Sequence, residues 1–131
     1  MKMRYQVIVD TLPQDAPYDF EMSAALLVAN FFETDVIFQR PGHLKSPDLL
    51  LKNQVWELKS PRGNGKNTIH NVFVTSRKQS YNVVIDLRFC KMNEQKAFAR
   101  IRDAFKKRRR KRCQLLIVTK DGNIIDISAI L

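Results

Sequence analysis

Two hydrophobic periodicities alternate along the chain and predict its secondary structure. Apolar residues recur at helical spacing in three segments, which predicts amphipathic helices at 18–32, 67–79 and 94–107. Short apolar or alternating runs predict strands at 5–10, 35–39, 81–89, 113–119 and 123–127, together with a hairpin at 46–61. The expected order, β-α-β-β-β-α-β-α-β-β, is that of an α/β protein with a mixed central sheet flanked by helices.

The first predicted helix carries one broad apolar face. Its members are spaced i, i+4, i+7, i+8 and i+11 and are expected to be buried: Phe20, Ala24, Leu27, Val28 and Phe31.

The hairpin "SPDLLLKNQVWELKSP" combines a core pattern with three ionisable residues. A two-residue turn at 52 and 53, where Asn tolerates positive φ, would place Asp48 directly opposite Glu57, with Cβ atoms roughly 5 Å apart. Lys59 lies two residues beyond Glu57 and therefore shares its face of the strand. The opposite face is expected to be apolar: Leu49, Leu51, Trp56 and Leu58.

Two facing carboxylates require compensation, especially when they are partly buried. Lys59 could provide it, or both acids could hold a hard divalent cation such as Mg²⁺, which also binds water and phosphate oxygens. An ordinary surface ion pair among Asp48, Glu57 and Lys59 is the alternative.

The net charge of +10 is concentrated in one run. Seven of the 23 basic residues are consecutive, "KKRRRKR" at 106–112, and the other 16 nearly balance the 13 acidic residues. A localised basic patch favours a polyanion such as nucleic acid, although cations also suit a solvated helix C-terminus.

The remaining composition is typical of a globular protein, with 131 residues that suit one domain and 44% hydrophobic residues. The longest uncharged apolar stretch, 22–32, is about 11 residues, too short to span a membrane. No signal peptide is evident, so a protein that acts in the cytoplasm is expected, either on its own or as a domain delivered as part of a larger toxin. Cys90 and Cys113 have no metal or disulfide spacing and are expected to be small core residues.

The residues "PD" at 47–48 and "ELK" at 57–59 resemble the PD-(D/E)xK signature of the restriction-endonuclease-like nucleases. From about Phe20 to Ile127, and most specifically in "ELKSPRGNGKNTI", the chain also resembles the C-terminal tRNase domain of CdiA contact-dependent growth inhibition toxins. The resemblance implies one nuclease domain over 1–131, with an N-terminal strand and connector at 1–19 and a restriction-endonuclease-like core at 20–127.

The resemblance also implies roles for individual residues. Asp48 and Glu57 would be the metal carboxylates, Lys59 the catalytic lysine, and Glu21 a further acid. An acid that stabilises the start of its helix is an equal alternative for Glu21.

Substrate contacts are expected around the loop after the motif, where Gly63 and Gly65 let the backbone approach a ligand. The candidates are polar or basic residues of this loop, the following helix and the basic run: Lys66, Asn67, Asn71, Gln79, Arg108, Arg109 and Arg110. His70 is expected at the surface, and Asp86 with Arg88 could be functional or an internal ion pair.

The expected function is therefore that of a metal-dependent endoribonuclease, with tRNA as the substrate that the resemblance favours. Mg²⁺ is the expected ion, with Mn²⁺ or Zn²⁺ as alternatives, and a toxin would have an immunity protein as its partner. The alternatives are a DNA endonuclease of a mobile element and a non-catalytic nucleic-acid-binding module.

Overall fold

The computed structural model describes residues 5–39, 48–76, 82–108 and 114–127. Its helices are α1 (Asp19–Phe32), α2 (Thr68–Ser76) and α3 (Glu94–Arg108), with a short 3₁₀ helix at Pro13–Asp15. Its strands are β1 (Val7–Asp10), β2 (Val36–Gln39), β3 (Asp48–Leu51), β4 (Gln54–Lys59), β5 (Asn82–Asp86), β6 (Gln114–Val118) and β7 (Ile124–Asp126). The order of these helices and strands along the chain is the one that the sequence predicts.

The chain forms two compact units, Met1–Leu58 and Lys59–Leu131, and β4 ends one residue beyond the division. In the first unit β1 and β2 are parallel, whereas β3 is antiparallel to both β2 and β4. Helix α1 packs against β1 and β2. The buried apolar residues of this unit come from α1 and three of its strands: Ala24, Ala25, Val28, Ala29, Val36, Phe38, Leu49, Leu51, Trp56 and Leu58.

The buried face of α1 differs from the predicted one. Phe31 is 43% exposed, so its predicted burial is wrong. The buried positions of the helix are Glu21, Ala24, Ala25, Val28 and Ala29. Small residues allow α1 to approach the strands closely. Phe32, which lies 100° further round the helix than Phe31, takes the place of Phe31 on the buried side, and its ring centre is 5.4 Å from that of Trp56.

In the second unit β5 and β6 are parallel, β6 and β7 are antiparallel, and α2 packs against α3. Strand β5 is buried along its whole length, as predicted for a central strand. Gly122 has a φ of 86° in the predicted turn between β6 and β7, a conformation that suits glycine. The core combines residues of α2, α3, β5 and β6 with residues that follow β5 or β7: Ile69, Val72, Val83, Ile85, Leu87, Cys90, Met92, Ala97, Ile101, Phe105, Leu115, Ile117 and Ile127.

Parallel and antiparallel strand pairs, together with helices, occur in both units, which confirms the predicted mixed α/β class. The predicted domain boundaries stay a prediction. Cys90 is a buried free thiol as expected, and Cys113 lies outside the described residues. Within the described ranges, none of the helices is both long and apolar enough to cross a bilayer.

Candidate active site

The β3–β4 hairpin has the predicted turn and register. Lys52 and Asn53 have φ values of 48° and 64°, and positive φ at both turn residues matches the twist of the two strands. The Cα partners are Asp48 with Glu57, Leu49 with Trp56, Leu50 with Val55, and Leu51 with Gln54. Positions 48 and 57 are therefore direct neighbours on one face of the ladder.

The two faces of this hairpin have different environments. Leu49, Leu51, Trp56 and Leu58 are buried on one face, as predicted. On the other face Val55 is exposed, but Glu57, two residues further along β4, is 0% exposed. A carboxylate removed from water is stable only when other groups compensate for its lost hydration. An exposed ion pair, the alternative expected from the sequence, therefore does not describe Glu57.

Lys59 is the last residue of β4 and is partly buried. Because side chains alternate along a strand, Lys59 projects from the same face of β4 as Glu57. The hairpin register brings Asp48 opposite Glu57, and the continuous strand β4 places Lys59 two residues further along the same face.

Glu21 is buried in the first turn of α1, and its Oε1 accepts a hydrogen bond from the backbone N–H of Tyr18 at 3.0 Å. This contact satisfies one of the N–H groups that a helix start leaves without an intrahelical acceptor. The contact agrees with the alternative in which Glu21 stabilises the start of α1. A catalytic role for this residue stays a prediction.

The chemistry of the hairpin acids suits a hard divalent ion. Over the described ranges, no three or more His, Cys, Asp and Glu side chains are grouped so that they could hold a metal. Mg²⁺ needs no such cage, because one or two carboxylates, waters and substrate phosphates complete its shell. Only the backbone of Asp48 is described, and two carboxylates are ligands of the kind that Mg²⁺ takes, whereas Zn²⁺ usually takes three or four protein ligands.

The loop after β4 leads into α2 through a tight turn. Thr68 N–H donates to the Gly65 carbonyl at 3.2 Å, and Gly65 N–H donates to Thr68 Oγ1 at 3.2 Å. A Cβ on Gly63 would lie 2.8 Å from Thr68 Oγ1, so a larger residue here would force the Thr68 hydroxyl to move. Lys66 and Asn67 are exposed just before the helix, and Asn71 is exposed in its first turn. All three are accessible to a substrate.

A basic groove, which we define by the residues around it, opens between α2 and α3. Its cavity of about 440 Å³ is lined by Lys66, Ile69, His70, Arg100, Asp103, Ala104 and Lys107. His70 is exposed as expected. Arg100 was not predicted from the sequence as a contact residue, and its i, i+7 spacing to Lys107, a member of the basic run, places both on one face of α3.

Gln79, Arg109 and Arg110 lie outside the described residues. Arg108 is the last residue of α3, and only its backbone is described.

Asp86 and Arg88 form an ion pair within the second unit. Arg88 Nε donates to Asp86 Oδ1 and Arg88 Nη2 donates to Asp86 Oδ2, both at 2.9 Å. The backbone N–H of Arg88 donates to Asp86 Oδ1 at 3.1 Å. This arrangement is the internal ion pair that the sequence left open, and it fixes the direction of the Arg88 side chain.

Comparison with known proteins gives one family and one related fold. Residues 45–124 match the family model described as the contact-dependent growth inhibition CdiA C-terminal domain. The fold is similar to that in a CdiA-CT/CdiI toxin and immunity complex from Burkholderia pseudomallei, with a TM-score of 0.55 and 21% identity over 92% of this chain and 97% of that chain. No curated protein matches.

Proposed function

Because the chain belongs to the family of contact-dependent growth inhibition CdiA C-terminal domains, we propose that it is a toxin nuclease that cleaves RNA with a bound divalent metal. The observation that carries the proposal is the pairing of Asp48 with the fully buried Glu57. We further propose tRNA as the RNA, in keeping with the resemblance of "ELKSPRGNGKNTI" to CdiA tRNase domains.

In this mechanism Asp48 and Glu57 would hold Mg²⁺. When bound, such an ion neutralises charge on a phosphate and makes a coordinated water easier to deprotonate. Lys59 donates hydrogen bonds to the phosphate oxygens, whose negative charge increases during the reaction. Water adds to phosphorus in line, the bond to the 3′ oxygen breaks, and that oxygen gains a proton. The products carry a 5′-phosphate and a 3′-hydroxyl.

The exposed residues beyond the motif would bind the substrate backbone. Lys66 supplies charge next to the start of α2, and Asn67 and Asn71 supply amide donors. The basic run would bind phosphates further from the cut, and its candidates are Arg108, Arg109 and Arg110.

The proposal includes a protein partner and a place of action. The related fold from B. pseudomallei is that of a toxin in complex with its immunity protein. An immunity protein for this chain would be acidic where it meets the basic surface, since the net charge is +10. With tRNA as the substrate, the domain would act in the cytoplasm of a target cell.

The decisive experiment compares Glu57→Gln with Glu33→Gln, an isosteric change of an exposed acid at the C-terminus of α1. Total tRNA is incubated with each protein in Mg²⁺, Mn²⁺ or Zn²⁺, with and without EDTA. We expect Mg²⁺-dependent cleavage by the wild type and by Glu33→Gln, and a loss of about 100-fold or more for Glu57→Gln. Cleavage that survives both chelation and Glu57→Gln would overturn the metal mechanism.

Two further measurements separate metal binding from substrate choice. A hundredfold excess of Mg²⁺ over its Kd should stabilise the wild type by about 2.7 kcal/mol and leave Glu57→Gln unchanged. Parallel reactions contain tRNA, single-stranded DNA and duplex DNA. Cleavage of DNA alone would instead indicate a DNA endonuclease, and binding of RNA without cleavage would indicate a binding module.

A further inference from the structure

An exposed aromatic side chain on the turn after β5 lies close to two arginines. Phe89 is 44% exposed, and the guanidinium carbons of Arg62 and Arg88 each lie 5.1 Å from the centre of its ring. This distance is within the range of a cation–π interaction. The three residues, which we call the Arg–Phe–Arg cluster, place two guanidinium groups next to an aromatic ring that is exposed to solvent.

The cluster is held in place from one side by the Asp86–Arg88 ion pair. The Arg88 side chain is 16% exposed and is fixed by the wholly buried Asp86 through two guanidinium hydrogen bonds. Its guanidinium plane therefore needs little further ordering when a ligand binds, which reduces the entropic cost of binding.

The loop that carries Arg62 is held against the same turn. Lys91 N–H donates to the Arg62 carbonyl at 3.1 Å, and Cys90 Sγ is 3.4 Å from the Gly63 carbonyl. The turn is itself anchored by Lys120, whose Nζ donates to the Cys90 carbonyl at 2.6 Å. Two segments that are distant in sequence thus form one fixed surface.

The chemistry of this surface matches a nucleotide. Bases stack on aromatic rings and on guanidinium planes, and RNA is recognised largely through unpaired bases. Asp86 offsets the charge of Arg88, and Arg62 is exposed, where a guanidinium can donate hydrogen bonds to a phosphate. Arg62 also lies only three residues after Lys59 along the chain.

We propose that the Arg–Phe–Arg cluster stacks one unpaired base of the substrate and that Arg62 binds an adjacent phosphate. The proposal rests on the proposed function for the identity of the ligand as RNA. It assigns a role to Arg62, Arg88 and Phe89, none of which carries out the cleavage chemistry.

The test measures RNA binding in EDTA, where cleavage does not interfere. Phe89→Ala is compared with Phe31→Ala, which removes the same side chain from a site of nearly equal exposure on α1. Fluorescence anisotropy follows three labelled probes: a short single-stranded RNA, its abasic counterpart and an RNA duplex. For Phe89→Ala we expect about tenfold weaker binding of the single strand, the usual effect of losing one stacked base.

The controls isolate stacking from charge and from folding. Phe31→Ala should bind the single strand like the wild type, and the abasic RNA should bind equally to the wild type and Phe89→Ala. Arg62→Lys keeps the charge and loses the planar group, so it should weaken binding of the base-containing strand more than binding of the abasic strand. Thermal unfolding and circular dichroism establish that each variant is folded.

The proposal is overturned if Phe89→Ala binds the single strand as tightly as Phe31→Ala does. It is also overturned if Phe89→Ala loses the same affinity for the abasic strand. These outcomes leave the nuclease assignment intact, because that assignment is tested by Mg²⁺-dependent cleavage and Glu57→Gln. Conversely, if RNA bases stack on the cluster but the protein cleaves no RNA, the role of the cluster stands and the nuclease assignment is wrong.

Discussion

Replacing Asp86 with Asn tests how strongly the second unit depends on its buried ion pair. The Asp86 carboxylate is wholly buried and accepts three hydrogen bonds from Arg88, at distances of 2.9, 2.9 and 3.1 Å. An amide keeps the shape of the side chain, but its NH₂ group would face an Arg88 donor. The substitution also leaves the guanidinium without its counter-charge.

The expected destabilisation follows from these contacts. Removing one partner of a fully buried ion pair costs about 3–5 kcal/mol. Arg88 retains 16% exposure and the amide oxygen still accepts one hydrogen bond, so we expect a smaller cost than this, about 2–3 kcal/mol. For a chain of 131 residues that corresponds to a fall in Tm of roughly 10 °C.

Thermal unfolding followed by circular dichroism measures the effect. Asp121→Asn is the matched control, because Asp121 is exposed in the β6–β7 turn and its change should stay within about 0.5 kcal/mol. Replacing Asp86 and Arg88 together with Leu should recover much of the loss, since no charge is then left buried. A Tm for Asp86→Asn within about 2 °C of the wild type would refute the reasoning.

Two other predictions concern the loop and the basic groove. Gly63→Ala should cost about 1 kcal/mol because its Cβ would displace Thr68 Oγ1, 2.8 Å away, from its hydrogen bond. The Cβ in Gly65→Ala would lie 3.8 Å from its nearest neighbour, so this variant should unfold at a temperature closer to that of the wild type. Equal losses of stability in the two variants would contradict this prediction. Arg100→Ala should lower the slope of log K against log salt for RNA by about one, whereas Arg102→Ala, on the same helix but outside the groove, should change it less. Equal salt slopes for the two arginine variants would mean that the groove binds no phosphate of the RNA.

The hairpin shows why part of the candidate site is predictable from the sequence. Its register depends on a two-residue turn and on strand alternation, both of which are local properties. Asn53 allows the turn, and once the turn is set, Asp48 must face Glu57. The order of helices and strands is predictable for the same reason, because each segment has its own periodicity.

Helix α1 shows where local patterns are insufficient. Ala24, Leu27, Val28 and Phe31 satisfy helical spacing and lie within about 100° of one another, on the single face that was predicted to be buried. Which face is buried depends on how closely α1 approaches β1 and β2, and the small residues decide this in favour of the alanines. Phe31 is exposed as a result.

The sequence by itself determined the mixed α/β class, the register of the hairpin and the candidate carboxylate pair, since these follow from interactions between residues close along the chain. Only the tertiary structure decided that Glu57 is fully buried, that Asp86 and Arg88 pair internally, and that Arg62 meets Phe89. Burial and contacts across 27 residues of chain depend on how distant segments pack together, and no local pattern encodes that packing.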